Sequence, residues 1–500
     1  MTNAILRGKP DAGNPHVRFD EGEVASAKPR RWSLLYKTLL TVSLLSMAFA
    51  AVAERPCPNA AQMGRIRNGV ELWGIVHWGL NTYTDREWGY GDENPAMLDP
   101  DAFDADQIVG ACKAGGLQGL VVVAKHHDGF CLWPTKTTAH NISRSPFRGG
   151  KGDYVKEMSE ACRRAGLRFG VYCSPWDRNN ADYARDGYVA TYHAQIRELL
   201  DGRYGEIFEM WFDGANGGDG YYGGARERRK IPKAYYRFDE VFRFVRTLQP
   251  SVCIFGMGGE YRWPGNERGI LSDDSRATII ADYTSAEYKK NQNVGMPDGD
   301  AFMICESDFP LRKGWFYHEK ETNTVRCGEF LMQRYLNTAG NGGAMNIGIA
   351  PDRHGRLAVE DVAALKRFGE VKRDFFAREV AEGERFNVVV MTEDVSHGER
   401  VDGWSFDVAG RSVLTGAAIG IKRIRVLGEP QIARDCALRV TKSAGRPGET
   451  GYRLYFVEPK LLNRVMNATT TNGETETAEW MSQSGIATDG DVRRPRRRMK

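Results

Sequence analysis

Residues 207–214 read Ile207, Phe208, Glu209, Met210, Trp211, Phe212, Asp213, Gly214. The run from Ile207 to Phe212 has the length and composition of a buried strand. It ends on a carboxylate that has little structural purpose there unless it points into a pocket, the bland alternative being a cap for the following loop. What stands at the ends of neighbouring strands decides between the two.

From about Glu71 to Gly369 short apolar runs alternate with longer amphipathic ones, the pattern of repeated strand and helix units. Leu72 to His77, Gly119 to Lys125, Arg168 to Ser174, Ile207 to Asp213, Val252 to Gly256, Phe302 to Glu306 and Ala344 to Ile349 read as strands, with an eighth placed near Ile279. Between them, Asp153 to Gly166 sets Val155, Met158 and Cys162 at helical spacing, with Asp153 as cap and Gly166 as stop. Polar and aromatic residues gather at the strand ends: His77, His126 and His127, Tyr172, then Trp211 and Asp213. Active sites of β/α barrels lie at the C-terminal ends of the strands. The expected fold is therefore α/β, a (β/α)8-like TIM barrel with Asp213 in its mouth. A doubly wound open sheet is the alternative, but its glycine-rich loop after the first strand is missing.

A chain of 500 residues exceeds what one core usually organises, so a companion domain is expected. After Arg373 runs such as Phe386 to Met391, Lys422 to Leu427 and Tyr452 to Val457 alternate apolar and polar residues between turn signals, which reads as a small C-terminal β-sandwich. The organisation is then a signal region over 1–53, the barrel over 54–373, the sandwich over 374–466 and a disordered polar, basic tail over 467–500. The net charge of +4 comes partly from that tail, with Arg493, Arg494 and Arg496 to Arg498. With no recognisable reader domain, this is a solvated end and not a nucleic-acid surface. The cysteines lack the close pairing of zinc sites or small disulfide scaffolds and read mostly as buried thiols. Arg30 and Arg31, the apolar stretch Thr38 to Ala53 and the small residues Ala51 and Ala53 predict an export signal cut before Glu54, leaving no stable membrane span. An uncleaved anchor is the alternative, though the stretch is short for a span.

Hydrolysis of a glycosidic bond usually needs two carboxyl groups in one pocket, one acid and one nucleophile or base, about 5 Å apart when configuration is retained. Asp213 is the first candidate. For the second, Glu260, Glu267 and Glu306 all stand on or after the later strands. The run Arg262 to Gly269 is a loop whose path Pro264 and Gly265 fix, and it can carry Glu267 over the pocket. Glu306 closes the apolar run Phe302 to Cys305 and either faces the pocket or pairs with Arg312. The residues alone leave the three open.

Several motifs recur in order at the strand ends: His77, Trp78, Gly79; Thr84 to Gly89 (TDREWG); Lys125 to Phe130 (KHHDGF); Trp211 to Gly214 (WFDG); Trp263 to Glu267 (WPGNE); Gly314 to His318 (GWFYH). Across roughly Glu71 to Leu427 the chain thus resembles the α-L-fucosidases of glycoside hydrolase family 29. The resemblance implies Asp213 as nucleophile and Glu267 as acid/base, the latter from the Gly, Asn, Glu run of the branch that cleaves α-1,3 and α-1,4 linked fucose. It implies that His77, Glu87, Trp88, His126, His127, Tyr172 and Trp211 line the sugar pocket, that the substrate is a fucosylated glycan, and that no metal or organic cofactor is needed. Imidazoles, a carboxylate and an indole N–H suit sugar hydroxyls, and aromatic faces suit its methyl edge. Read singly, each of these residues is equally at home in a core, and consecutive His126 and His127 point to opposite faces unless the strand ends at them, as Asp128 and Gly129 suggest. Two rivals remain: a metal-dependent barrel hydrolase with His77, His126 and Asp213 as ligands, and a catalytically inactive fucose-binding protein. Pro264 inside the acid loop and the basic run Arg226 to Lys230 depart from the family pattern and leave the linkage open.

Overall fold

The structure, a computed structural model, describes residues 55–213, 217–232 and 234–469. The expected signal region and the tail from residue 470 lie outside the described residues. Eight parallel strands close into a barrel: β1 (Leu72–Val76), β2 (Gly119–Lys125), β3 (Arg168–Cys173), β4 (Ile207–Trp211), β5 (Cys253–Phe255), β6 (Tyr261–Arg262), β7 (Ile304–Pro310) and β8 (Ala344–Ile349). Each lies beside its neighbour in sequence, and β8 closes on β1 with Met345 opposite Leu72. Helices Ala105–Ala114, Tyr154–Ala165, Asp186–Leu200, Phe238–Leu248, Gly328–Asn337 and Val359–Phe375 follow β1, β2, β3, β4, β7 and β8. The second of these begins where Asp153 accepts the Lys156 N–H and stops at Gly166, whose φ of 71° suits a residue without a Cβ.

The side-chain period of two along each strand sorts the chemistry. On β4, Met210, with Phe212 just beyond, packs outward among the helices, while Glu209 and Trp211 face the barrel axis. Two residues further on that inner face comes Asp213, at the C-terminal mouth. Tyr172 on β3 and Ile75 on β1 share the interior cluster with Trp211, and His77 is the next inward position after Ile75.

Two strand expectations need correcting. Thr278–Ile279 is not a barrel strand: it pairs antiparallel with Ala301–Phe302 in a separate two-stranded ribbon. The missing strand is β6, joined to β5 by residues 256–260 with no helix between. That return is glycine-made, with φ of 84° at Gly256 and 88° at Gly258. A Cβ on Gly259 would lie 2.4 Å from the Ile254 carbonyl oxygen. Two residues, one of them Arg262, carry too little apolar pattern to be read as a strand. The other correction concerns β7, which begins at Ile304 and runs on to Pro310, so Glu306 sits inside the strand and not at its end. The polar residues Ser307 and Asp308 hide the continuation. Arg312 pairs with Asp361 at 3.0 Å, not with Glu306.

Beyond the barrel stand two three-stranded antiparallel sheets. Arg385–Glu393 lies between Arg423–Ile432 and Thr450–Tyr455, and Val401–Val408 between Arg411–Gly416 and Ala437–Ser443. Phe386, Val389 and Met391 of one meet Trp404 and Phe406 of the other in a core of their own. The fully buried Arg423 ties this unit to the barrel through the carbonyls of Asp273 and Ser275. The helix Pro459–Met466 returns to the barrel, where the Gln333 amide donates to the Met466 carbonyl at 3.0 Å. The nine cysteines are all free, and among the described residues no helix is long and apolar enough to cross a membrane.

Replacing Gly259 with Ala forces the turn that carries β6 off the Ile254 carbonyl. The expected cost is about 2–3 kcal/mol, read as a lower midpoint in denaturant unfolding; an unchanged midpoint would show that the turn has room to spare.

Candidate active site

Asp213 stands just past the end of β4. Its Oδ2 accepts from the Tyr172 hydroxyl at 3.0 Å and lies 3.4 Å from His127 Nε2. Burial opposes the charge on Asp213, but the His127 and Tyr172 hydrogen bonds outweigh it and hold the carboxyl below its ordinary range. The side chain keeps 39% of its surface open. An accessible, ionised carboxylate at the bottom of a mouth is what a nucleophile or base requires.

The residues around it are set by the strand ends. His127 Nδ1 is fixed on Ser174 Oγ at 2.8 Å, just past β3. β2 stops at Lys125, so His126 and His127 both turn into the mouth, with ring centroids 4.1 Å apart. His126 lies 3.3 Å from the Asn81 amide nitrogen and its ring stacks near Tyr172. Burial drives His126 far below the usual imidazole range and His77 down to about 3, so both are neutral. The Nδ1 of His77 is buried with no side-chain or backbone donor or acceptor in good hydrogen-bond geometry among the described residues. Trp88 stands edge-on to His127 and to Trp176.

Glu267 reaches the same mouth from the loop after β6. The Trp315 indole donates to its Oε2 at 3.1 Å. Burial first, then the charges of Asp308, Asp213 and Glu87, push its carboxyl well above the ordinary range, and the Trp315 bond only partly offsets them. Two carboxyls in one mouth thus prefer opposite protonation states, the arrangement that separates acid from nucleophile.

Trp315 is itself held by a strap. Glu87 accepts from the backbone N–H of Trp315 at 3.0 Å and of Phe316 at 3.3 Å, and from His318 Nε2 at 2.7 Å. The other His318 nitrogen donates to Asp85. Burial disfavours the imidazolium, yet these two carboxylates raise His318 to about 9. Glu87, expected to line the sugar pocket, has its oxygens engaged in holding residues 315–318 against the loop after β1. Trp211 likewise sends its N–H away from the mouth, to Glu306 Oε1 at 3.0 Å, while its ring stacks on Phe255 and Tyr172.

The three rival carboxylates therefore separate. Glu260 lies at the opposite end of the barrel, bonded to Asn59, Arg246 and the Ile254 N–H. Glu306 is fully buried in the barrel interior. Only Glu267 shares the mouth with Asp213. Sequence reasoning missed Asp308, Trp176 and Trp315; the last lies inside a quoted motif, and the first stands two residues past Glu306. Among the described residues no three His, Cys, Asp or Glu side chains are grouped to hold a metal ion.

A family model described as alpha-L-fucosidase matches residues 64–373, the barrel with its closing helix. The chain belongs to the α-L-fucosidase family. It is 35% identical over 335 residues to putative alpha-L-fucosidase 1 of Oryza sativa subsp. japonica, covering 65% of this chain and 60% of that protein. It is 32% identical over 355 residues to alpha-L-fucosidase 1 of Arabidopsis thaliana, covering 69% and 67%. The match thus spans about three-fifths to two-thirds of these plant relatives. A crystal structure of a glycoside hydrolase 29 family member from an unknown rumen bacterium superposes with a TM-score of 0.75 at 34% identity, covering 81% of this chain and 78% of that one.

The strap carries a pH signature. Because His318 is raised from about 6.5 to about 9, its stabilisation is fully present below the free imidazole value and is lost as pH rises through 9. The thermal midpoint should fall between pH 6.5 and 9.5 in the native chain and fall less in His318→Gln. Parallel curves for the two would remove His318 from this role.

Proposed function

We propose that this chain is an exo-acting, retaining α-L-fucosidase that releases terminal α-L-fucose from oligosaccharides or glycoconjugates, with preference for α-1,3 and α-1,4 linkages. The observation that carries the reading is the opposite tuning of Asp213 and Glu267 in one mouth. In the first step Asp213 attacks the anomeric carbon while Glu267 protonates the leaving oxygen, giving a fucosyl-enzyme ester and a free alcohol. In the second, Glu267, now a carboxylate, takes a proton from water, whose oxygen displaces Asp213 and releases fucose.

The remaining residues bind and position. His77 and His126, neutral through burial, and His127 offer nitrogens to the sugar hydroxyls. Trp88 and Tyr172 supply aromatic faces, with Tyr172 also fixing Asp213. Trp211 acts beneath the pocket by supporting Tyr172, and Glu87 acts through the strap that aims Trp315 at Glu267. The linkage preference rests on the Gly, Asn, Glu order at 265–267. Export through the leader before Glu54 is part of the same reading and places the enzyme where free glycans and glycoconjugates are met.

Asp213→Gly should lower kcat on an aryl α-L-fucoside by about 10³-fold or more, with azide restoring turnover as a fucosyl azide. Native turnover should survive a chelator. Undiminished activity in the variant would end the assignment. Fucose released from a panel of linkage isomers tests the preference, and equal rates on α-1,2 and α-1,3 linkages would reject it.

A further inference from the structure

The inward face of β7 carries a third carboxyl that no step above uses. Ile304, Glu306 and Asp308 alternate with Cys305, Ser307 and Phe309, so Asp308 shares the face of Glu306 and lies one layer nearer the mouth. Glu306 marks where that face points, because its Oε1 is bonded inside the barrel by Trp73, Trp211 and Asn346. Asp308 stands opposite Asn346 in the β7–β8 register and is 3% exposed. Its Oδ1 has no hydrogen-bond partner among the described residues. On the other side, β6 pairs with β7 through Arg262 and Cys305, and the loop that follows β6 folds back over β7, with Gly269 packed on the Phe309 ring. Glu267 is in that loop.

We propose that Asp308 is a positioning residue that keeps Glu267 in its acid form by placing a second carboxyl beside it. The inference rests on the reading of Glu267 as the acid. Two carboxyls that share one low-dielectric mouth cannot both ionise cheaply, so a proton stays in the pair while Asp213, supplied with its own donors, remains a carboxylate. The charged groups that act most strongly on Glu267 are negative: Asp308 from β7, then Asp213 from beyond β4 and Glu87 from the loop after β1. The neutral donor from the strap, Trp315, is the counterweight. Asp308 is itself raised, by burial and by the charge of Asp213, with a Trp263 hydrogen bond as a partial offset. Removing the Asp308 charge lets Glu267 lose its proton at lower pH, so the acid is exhausted earlier on the alkaline side.

The test is the pH dependence of kcat/KM for Asp308→Asn and Asp308→Ser on an aryl fucoside with a poor leaving group, alongside their thermal midpoints. The alkaline limb reports the acid in the free enzyme. It should move down by about one pH unit or more, costing about tenfold in rate above the limb while the acid side holds its native slope. An unmoved limb in a folded variant, or a change confined to KM, overturns the proposal. Glu267→Ala on the same substrate and on fucosyl fluoride, which departs without protonation, tests the parent reading separately. If that variant lowers kcat/KM, which reports the first step, equally on both, Glu267 is not the acid and the fault lies there; if it lowers kcat/KM only on the poor leaving group, an unmoved limb counts against Asp308 alone.

Discussion

The barrel turns on one atom, the Oε1 of Glu306. It accepts from Trp73 on β1 at 3.2 Å, from Trp211 on β4 at 3.0 Å and from Asn346 on β8 at 2.8 Å. Four strands, counting its own β7, are thereby tied at a point with no solvent exposure. A lone carboxylate there would carry a prohibitive desolvation cost. Burial and the neighbouring Glu209 push Glu306 well above the usual range, so it keeps its proton. A shared proton between the Glu306 and Glu209 side chains lies behind the shift. Glu209 in turn is paired with Arg65 at 2.9 Å, from the helix Ala60–Arg67. Three ionisable side chains thus reduce to one neutral acid and one ion pair.

That interior arrangement reaches the mouth through aromatic packing. The Trp211 N–H points down to Glu306, which fixes the ring face against Phe255 at 4.0 Å and Tyr172 at 5.3 Å. Tyr172, so held, aims its hydroxyl at Asp213. Glu267 is placed from the opposite direction, from the rim: Asp85 and Glu87 hold His318, Glu87 holds the backbone of Trp315, and Trp315 donates to Glu267. One carboxyl is supported from the core and the other from the loops, so a change at the rim can disturb the second without moving the first.

Much of this was legible from the chain because a β-strand repeats every two residues. Once Ile207 to Phe212 is read as a strand, an acid at 213 has to be explained, and the explanation recurs at His77 and Tyr172. The doublet at 126 and 127 shows the limit of that rule: alternation forbids both facing one side, and both do so only because β2 ends at Lys125. β6 was illegible because it is held by a glycine return and barrel pairing, not by its own apolar content. Asp308 was hidden for a related reason. Polar residues at 307 and 308 look like the end of a strand, whereas β7 runs on and Asp308 faces the barrel interior above Glu306. The roles inferred for Glu87 and Trp211 show a different gap, since a motif says which residues stand near a site but not which way their donors and acceptors point.

The difference between Asp213 and Glu267 lies in what surrounds them. Both are half-buried, and burial raises any carboxyl. Asp213 has a phenol and an imidazole within reach of a single oxygen; Glu267 has one indole N–H and three acidic neighbours. Burial keeps His77 and His126 uncharged, so the groups in direct contact with Asp213 are His127 and the Tyr172 hydroxyl. Their hydrogen bonds lower the carboxyl. Donors distributed unevenly across one mouth thereby set two chemically similar carboxyls at opposite preferences for the proton.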